Sequence, residues 1–567
     1  MKQQRLALLP ENEGLAIKYL YQKNAIQYAL ALLPATALLA FSLPSGPIFW
    51  LPLVVLVPFF LVLRGVKPAA GFILGWAGGS LFWLVSTFWV FNACRELMGW
   101  SVPTAFIASL VFFLYQGLPY GLAGLVCGMT NRAGRGAGPF FAAGIFTLFI
   151  ALWPALCPGS PAISLYSWPQ AIQIADIGGM PLVFFFMLLA NALLAEVITP
   201  SPFKRRIRYS ALFILLISVV LGYGSLRLNQ LQTLEAAHPE SRISVRTIQP
   251  NILSKSTSGS NNQIQISNHP ALRQITEESA LKSTPVDLIL WPEAPGSPAC
   301  DNLDLQALAR TEALNQSPLL FSCTQYHYRV KKQEPVIGPD GSEITADTEF
   351  PLRELSKMYN SLALMTDGQI TGVYHKTRLV PFAEATPFAE RLPLLQKYLG
   401  KIHEYQPGPG PDLLILPGGL RVQPLICFES GFPDISRKGA TMGADAFVTA
   451  ANDGWFVHQK AAELHLGLAL FRAVEQRRPM IRVTNTGMGA HIHATGKIED
   501  GTRTPMDQIT YRQASLFVPD VQTMYLLIGS SWLWVLAVML TVNCFLRKIE
   551  TTKYLRIFTD TKVGSTS

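Results

Sequence analysis

Glu293, Lys376 and Cys427 stand in that order in the only long polar stretch of this chain. Each closes a short apolar run: VDLILWPE, ITGVYHK and VQPLIC. Such runs, bounded by turn residues, read as buried strands. In layered α/β domains reacting groups collect on the loops just past strand ends. A carboxylate, an ammonium and a thiol are the parts of acyl transfer through a thioester: a base for the thiol proton, a cation for the oxyanion and a nucleophile. Glu293 follows Trp291 and Pro292, where partial desolvation disfavours the charged form and strengthens the carboxylate as a base. Cys427 needs a nearby cation or base to reach its thiolate. Taken singly, a surface glutamate, a solvated strand-end lysine and a buried structural cysteine are the commoner fates of such residues, so spacing alone leaves the trio's role open.

The elements that must position the trio lie within residues 227–523. ISVRTIQ, VDLILW, PLLFSC, SLALMT, ITGVYH, DLLILP, RVQPLIC, AFVTAA, PMIRVTN and GAHIHA read as strands, and 271–282, 303–315 and 459–477 as helices. Their alternation predicts an α/β or α+β layered domain. Residues 329–356, polar and rich in Gly, Pro and Glu, read as a long surface loop.

Outside this stretch the chain is membrane-like. Of 567 residues 50% are hydrophobic and only 15% charged, against about a quarter charged in soluble domains. Apolar runs fall at 25–43, 47–63, 69–92, 102–129, 137–157, 180–200, 209–226 and 524–546, most near the ~20 residues that cross a bilayer. The expected organisation is a segment 1–24, a membrane domain 25–226 of about seven helices, the polar domain 227–523, a C-terminal span 524–546 and a tail 547–567. Basic clusters follow every second span: Lys18 and Lys23, Arg64 and Lys67, Arg132 and Arg135, Lys204 to Arg208, and Arg547 with Lys548. Positive residues mark the cytoplasmic face, so both ends are expected there and the polar domain opposite. The net charge of +9 is then membrane flanking, and no nucleic-acid motif accompanies it. Gly71, Gly75, Gly78 and Gly79 suit close helix packing. The spans carry almost no ionisable residues, which argues against a transporter. No metal-ligand or phosphate-loop pattern occurs, so neither a metal nor a cofactor is expected. Cys300 and Cys323 share the outer compartment and could pair or stay free.

The strings LILWPEA, YHKTRLVPFAEATPF, LICFES and AANDGWF, in this order and spacing, resemble the carbon–nitrogen hydrolase (nitrilase) superfamily. The resemblance implies an αββα sandwich on the extracytoplasmic side of a polytopic α-helical membrane domain. It implies a triad with Glu293 as base, Lys376 as oxyanion stabiliser and Cys427 as nucleophile. Glu384, Glu429, Phe428, Asn452 and Trp455 become substrate-orienting residues: the two glutamates aligning Lys376 and an incoming amine, Asn452 and Trp455 shaping the pocket wall. Spans on both sides of such a domain, with LVPFAE-x-x-P and MYNS at 358–361, resemble the bacterial apolipoprotein N-acyltransferase branch. That branch implies a phospholipid acyl donor such as phosphatidylethanolamine, a diacylated apolipoprotein acceptor, and a multi-pass protein of the inner membrane with its catalytic domain in the periplasm. The alternative is a membrane-anchored amidase that transfers to water. Three departures stand out: Phe428 where the family often has Tyr, Ala383 where it has Gly, and no Trp after the retained Gln249, Asn251 and Ile252.

Overall fold

The computed structural model describes residues 48–544 apart from 97, 133–136, 253–269, 282–283, 294–297, 302–316, 331–335, 338–342, 345–352, 387–404 and 457. The expected first span, the two terminal segments and the helix expected at 303–315 lie outside the described residues. Among those described, four helices are long and apolar enough to cross a membrane: α1 (Pro68–Ser86), α2 (Val102–Arg132), α3 (Ala175–Ile198) and α4 (Phe203–Ala237). Shorter apolar helices at Leu51–Leu63, Pro139–Ala151 and Trp532–Cys544 lie on three further expected runs.

The glycines of α1 do what their spacing suggested. A Cβ on Gly71 would stand 2.3 Å from the Gly124 carbonyl oxygen, and one on Gly75 2.2 Å from that of Tyr120. Only glycine lets these backbones touch. Helix α3 is broken at Gly178 and Gly179, the latter at φ 70°. Met180 N, freed by the break, donates to Glu475 Oε1 at 2.9 Å. Helix α4 departs from the expected boundary at 226. Hydropathy ends there, but LRLNQLQTLEAA is built from good helix formers, so the helix runs on to Ala237, roughly 16 Å further, and delivers the first strand.

Two sheets follow. The strands are β1 (Arg242–Gln249), β2 (Leu288–Leu290), β3 (Leu319–Val330), β4 (Val336–Ile337), β5 (Glu343–Ile344), β6 (Arg353–Thr366), β7 (Gln369–His375), β8 (Leu414–Ile415), β9 (Arg421–Ile426), β10 (Ala446–Ala451), β11 (Met480–Thr484), β12 (Ala490–Ile492) and β13 (Thr510–Phe517). One sheet has the order β13-β1-β2-β3-β6-β7 and the other β12-β11-β10-β9-β8. Each expected strand appears, and β13, in TYRQASLF, is added: its weak alternation hid it, and antiparallel pairing with β1 over Arg242–Gln249 secures it. The segment 329–356 is not one loop. β3 and β6 continue into it as a long ribbon, and β4 and β5 pair beyond.

Ile243, Val245, Leu290, Leu362, Val422, Val448 and Ile481 fill the space between the sheets. Helix α5 (Pro270–Leu281) covers the first sheet through Leu272 and Ile275. Helices α6 (Pro433–Thr441) and α7 (Gln459–Gln476) cover the second. The result is an αββα sandwich, as expected. Its α7 layer shares one apolar core with the membrane domain, where Ala462, Leu466 and Phe471 cluster with Ile163, Leu165 and Ile172.

Candidate active site

β2 runs parallel to β1 and β3, and β9, β10 and β11 run parallel to one another. Residues just past their ends therefore collect along one edge of the sandwich. Glu293 follows β2, Lys376 follows β7, Cys427 follows β9 and Asn452 follows β10. The trio separated by more than a hundred residues converges there. Lys376 Nζ lies 3.7 Å from Glu293 Oε1 and 2.8 Å from Glu384 Oε1. Lys376 is 1% exposed and Cys427 8%.

Burial alone would lower the Lys376 pKa, but the Glu384 and Glu293 carboxylates, with Cys427, push it well above the ordinary lysine value. It is a fixed cation in a dry site, the form suited to an oxyanion. Burial pushes the Cys427 thiol well above its usual range, and Glu293 adds to this while Lys376 opposes it. At rest Cys427 is thus a protonated thiol, and any reaction through its sulfur would call on a base. Cys427 opens the 3-10 turn Cys427–Gly431 at φ 50°, a sparsely populated conformation for a side-chain-bearing residue. The main chain of Asn452 hydrogen-bonds its sulfur.

The orienting residues divide. Glu384 sits against Lys376: Oε1 accepts from Lys376 Nζ and Oε2 from Val380 N at 2.7 Å. Glu429 is fully buried and spent on the chain around the site. Its oxygens accept from Thr377 N (2.6 Å), Arg378 N (3.0 Å), Ile426 N (2.8 Å) and the Tyr374 hydroxyl (2.9–3.0 Å). The expected contact with an incoming amine is not how Glu429 is built. It ties the turn after Lys376 to the strand before Cys427, because a buried carboxylate must fill its lone pairs. Burial raises its pKa against the opposing pull of these donors and Lys376. Phe428 packs edge-on to Phe432 at 4.8 Å. Asn452 is buried, its side chain accepting from Gly454 N at 3.1 Å. Trp455 lies on the turn Asp453–Phe456, and its side chain is outside the described part.

Asn360 was given no role by sequence, although it lies inside MYNS. From β6 its Nδ2 donates to both Glu293 Oε1 and Glu384 Oε1 at 2.8 Å, and its carbonyl accepts from Lys376 N at 2.8 Å. A buried polar residue just before the apolar SLALMT half of its strand was the available signal. Cys300 and Cys323 form a disulfide, and Thr324 N donates to Pro298 O at 2.7 Å, so the chain after Glu293 is fastened to β3. Membrane-domain residues reach the site's rim: Trp89 packs at a tilt on Phe456 (4.5 Å), Phe88 edge-on to His458 (4.6 Å) and Trp100 edge-on to Phe382 (6.1 Å). Among the described residues no cluster of His, Cys, Asp or Glu could hold a metal ion.

Two family models match the chain in tandem: the apolipoprotein N-acyltransferase N-terminal domain over residues 35–193 and carbon-nitrogen hydrolase over 245–524. An apolipoprotein N-acyltransferase of Geobacter metallireducens is 28% identical over 89% of this chain and 92% of its own length. One from Allorhizobium ampelinum is 29% identical over 78% of each, and apolipoprotein N-acyltransferase 2 of Treponema pallidum 27% over 86% and 88%. Among solved structures, an amidase from Nesterenkonia sp. aligns with 51% of this chain and 94% of its own at 16% identity, with a TM-score of 0.33.

Proposed function

The chain belongs to the apolipoprotein N-acyltransferase branch of the carbon–nitrogen hydrolases, and on that premise we propose that it moves an acyl chain from a phospholipid, through a thioester on Cys427, to the N-terminal amine of diacylglyceryl-cysteine lipoproteins. Glu293 takes the thiol proton as sulfur attacks the ester carbonyl, and Lys376 meets the oxyanion. The lysophospholipid leaves with the proton returned by Glu293. The lipoprotein amine then attacks the thioester, gives its proton to Glu293, and the thiolate leaves to be reprotonated. Glu384 and Asn360 hold Lys376 and Glu293 in register, and Glu429 fixes the two turns. Phe428 and Asn452 flank the thiol on its two turns, and Trp455, on the turn after Asn452, is assigned to substrate orientation with them. The thioester keeps the acyl group activated, and the overall exchange of an ester for a more stable amide is downhill, so no nucleotide is needed.

The observation that carries this reading is the convergence of Glu293, Lys376 and Cys427 in a buried pocket whose rim is shared with membrane-domain aromatics. A hydrolase anchored by a single helix has no use for such a rim, and the amidase alternative is the weaker for it. The disulfide supports an oxidising compartment for the catalytic domain, and hence the periplasmic face of the inner membrane. Arg64 and Arg205, from two of the basic clusters, meet on Glu196 at 3.1 Å each, which supports a common cytoplasmic side for those ends. The domain limits proposed are those of the sequence, with the polar domain's first strand starting at Arg242.

Purified full-length protein incubated with acyl-labelled phosphatidylethanolamine should acquire hydroxylamine-sensitive label that is absent from Cys427→Ser. A diacylated lipopeptide should then discharge it onto its amine. A folded protein that takes no label sinks the thioester; discharge only to free fatty acid sinks the acceptor and favours the amidase.

A further inference from the structure

Neither Glu293 nor Lys376 accounts for how Cys427 is held at φ 50°. A residue in that region stays there only when its surroundings over-determine it. The Cys427 carbonyl accepts from Ser430 Oγ at 3.0 Å and lies 2.8 Å from His465 Nε2, which also contacts Ser430 Oγ at 3.1 Å. On its other side the ring's Nδ1 is 2.9 Å from Asp453 Oδ1 and 3.1 Å from Arg482 Nη2. Arg482 Nη2 bonds both Asp453 oxygens, at 2.9 and 2.8 Å, and Arg482 Nε donates to the Met488 carbonyl at 3.2 Å. Asp453 and Arg482 are fully buried. A Cβ on Gly487 would stand 2.1 Å from Asp453 Oδ2, so the carboxylate fills a space that only glycine leaves open. Asp453 directly follows Asn452, whose main chain bonds the Cys427 sulfur. One fixed turn therefore governs both the sulfur and, through the ring, the carbonyl of the same residue.

We propose that His465 is a positioning residue for the nucleophile: its Nε2–H grips the Cys427 carbonyl, and Arg482 and Asp453 lock the ring so that the sulfur faces Glu293 and Lys376. A carbonyl oxygen only accepts, so Nε2 carries the hydrogen. The neutral Nε2–H tautomer, with Nδ1 accepting from Arg482, and the imidazolium, with Nδ1–H donating to Asp453, both provide it, so the grip on the carbonyl does not depend on the ring's charge. Among the described residues the ring's hydrogen-bond partners are a carbonyl, a hydroxyl, a carboxylate and a guanidinium, never the thiol. The arrangement uses the parts of a Cys–His–Asp triad, but the histidine acts on the backbone while Glu293 serves as base. Displacing a nucleophile by about 1 Å can cost on the order of a hundredfold in rate.

The inference rests on the thioester reading, and two readouts keep the two apart. Full-length His465→Ala, His465→Gln and Ser430→Ala proteins are compared for single-turnover acylation by labelled phosphatidylethanolamine and for alkylation of Cys427 by iodoacetamide. Expected are a tenfold or greater fall in acylation rate for H465A, an unchanged half-saturating lipid concentration, and a smaller fall for S430A. H465Q, whose amide can donate to the same carbonyl, should recover most of the loss with the wild-type pH profile. Alkylation should slow in the same order. H465A at wild-type rates in both assays overturns the proposal. So does H465Q as slow as H465A with a lost acid limb, which would make the ring a proton-transfer group. If H465A does not fold, H465Q and S430A decide by the same criteria. Wild-type protein that takes no acyl label defeats the transfer reading, while the alkylation series still tests the positioning.

Discussion

Replacing Asn360 by alanine tests whether the site works as a geometric unit. Lys376 Nζ stands 2.8 Å from Glu384 but 3.7 Å from Glu293, so the short bond that aims Glu293 comes from Asn360 Nδ2 at 2.8 Å. The second Asn360 bond, to Glu384, is backed by Lys376 and by Val380 N, and its loss changes little. A hydrogen bond to an ionised group is worth roughly 1.5–3 kcal/mol, and neighbouring terms do not simply add. Taking about 2 kcal/mol for the freed base, acylation should slow about 30-fold, since ~1.4 kcal/mol is a factor of ten. Asn360→Asp should fall further at neutral pH, because a third carboxylate would crowd one lysine. The assay is single-turnover formation of acyl-Cys427 from labelled phospholipid, with the unfolding midpoint measured alongside. An N360A rate within threefold of wild type, at saturating lipid, would refute the idea that Asn360 orients the base.

Three further outcomes follow from buried groups outside the reacting atoms. His491, fully buried against Thr247, has its pKa lowered from 6.5 to about 3 by burial, with Arg512 and His493 adding to the shift. The unfolded chain takes up this proton near pH 6.5 and the native one does not, so stability falls as pH drops through that window. Between pH 7 and 5 the wild type should lose about 2 kcal/mol more than His491→Gln, and equal slopes would remove His491 as the cause. Glu429→Gln presents an NH2 to at least one of the backbone donors its carboxylate now receives. It should destabilise by ~1–3 kcal/mol and slow acylation, as read by unfolding and by label uptake. Cys300→Ser with Cys323→Ser opens a loop of 23 residues' separation, which should lower the unfolding free energy by about 3 kcal/mol in the chain-entropy view; a stability equal to wild type would show that the surrounding backbone bonds suffice.

The trio was legible in sequence because each member closes an apolar run, and strand ends are where such runs release the chain. Glu384 was legible through the motif it shares with Lys376. Asn360 was not assigned, because a polar residue inside a strand announces its environment and not its partner: Glu293 lies 67 residues away. Glu429 was placed near the site, but its contacts were not legible, since beside the Tyr374 hydroxyl its donors are backbone N–H groups that no side-chain pattern reveals. The left-handed turn at Cys427 left no trace, because the residue that favours such a turn is glycine and chemistry requires a thiol there. Helix α4 overran its expected end for a related reason. Hydropathy reports where the bilayer stops, whereas a helix stops where capping or packing ends it.

How the sandwich sits on its membrane helices bears on the choice between amine and water. Arg477, the left-handed C-cap residue of α7, is fully buried, and its guanidinium bonds Asp176 at 2.8 Å and Gln173 at 2.6 Å near the start of α3. Arg227 and Tyr223 of α4 reach the same Asp176 at 2.8 and 2.6 Å. Glu475 holds Met180 N, and Trp532 Nε1 donates to the Gly178 carbonyl at 2.9 Å. Breaking one buried ion pair by removing its partner typically costs 3–5 kcal/mol. Lifting the whole domain would strand several buried groups at once and flood the thiol with water. Docking of this kind would keep the proposed thioester dry between half-reactions. It leaves the exchange of lysophospholipid for lipoprotein to the rim where Trp89, Trp100 and Phe88 meet the catalytic turns. On the proposed function both substrates are bilayer-anchored and would arrive along it, whereas water would have to cross that apolar rim. An acyl-enzyme poised there favours the membrane-borne amine over solvent, which is the property that turns a hydrolase's triad into a transferase's.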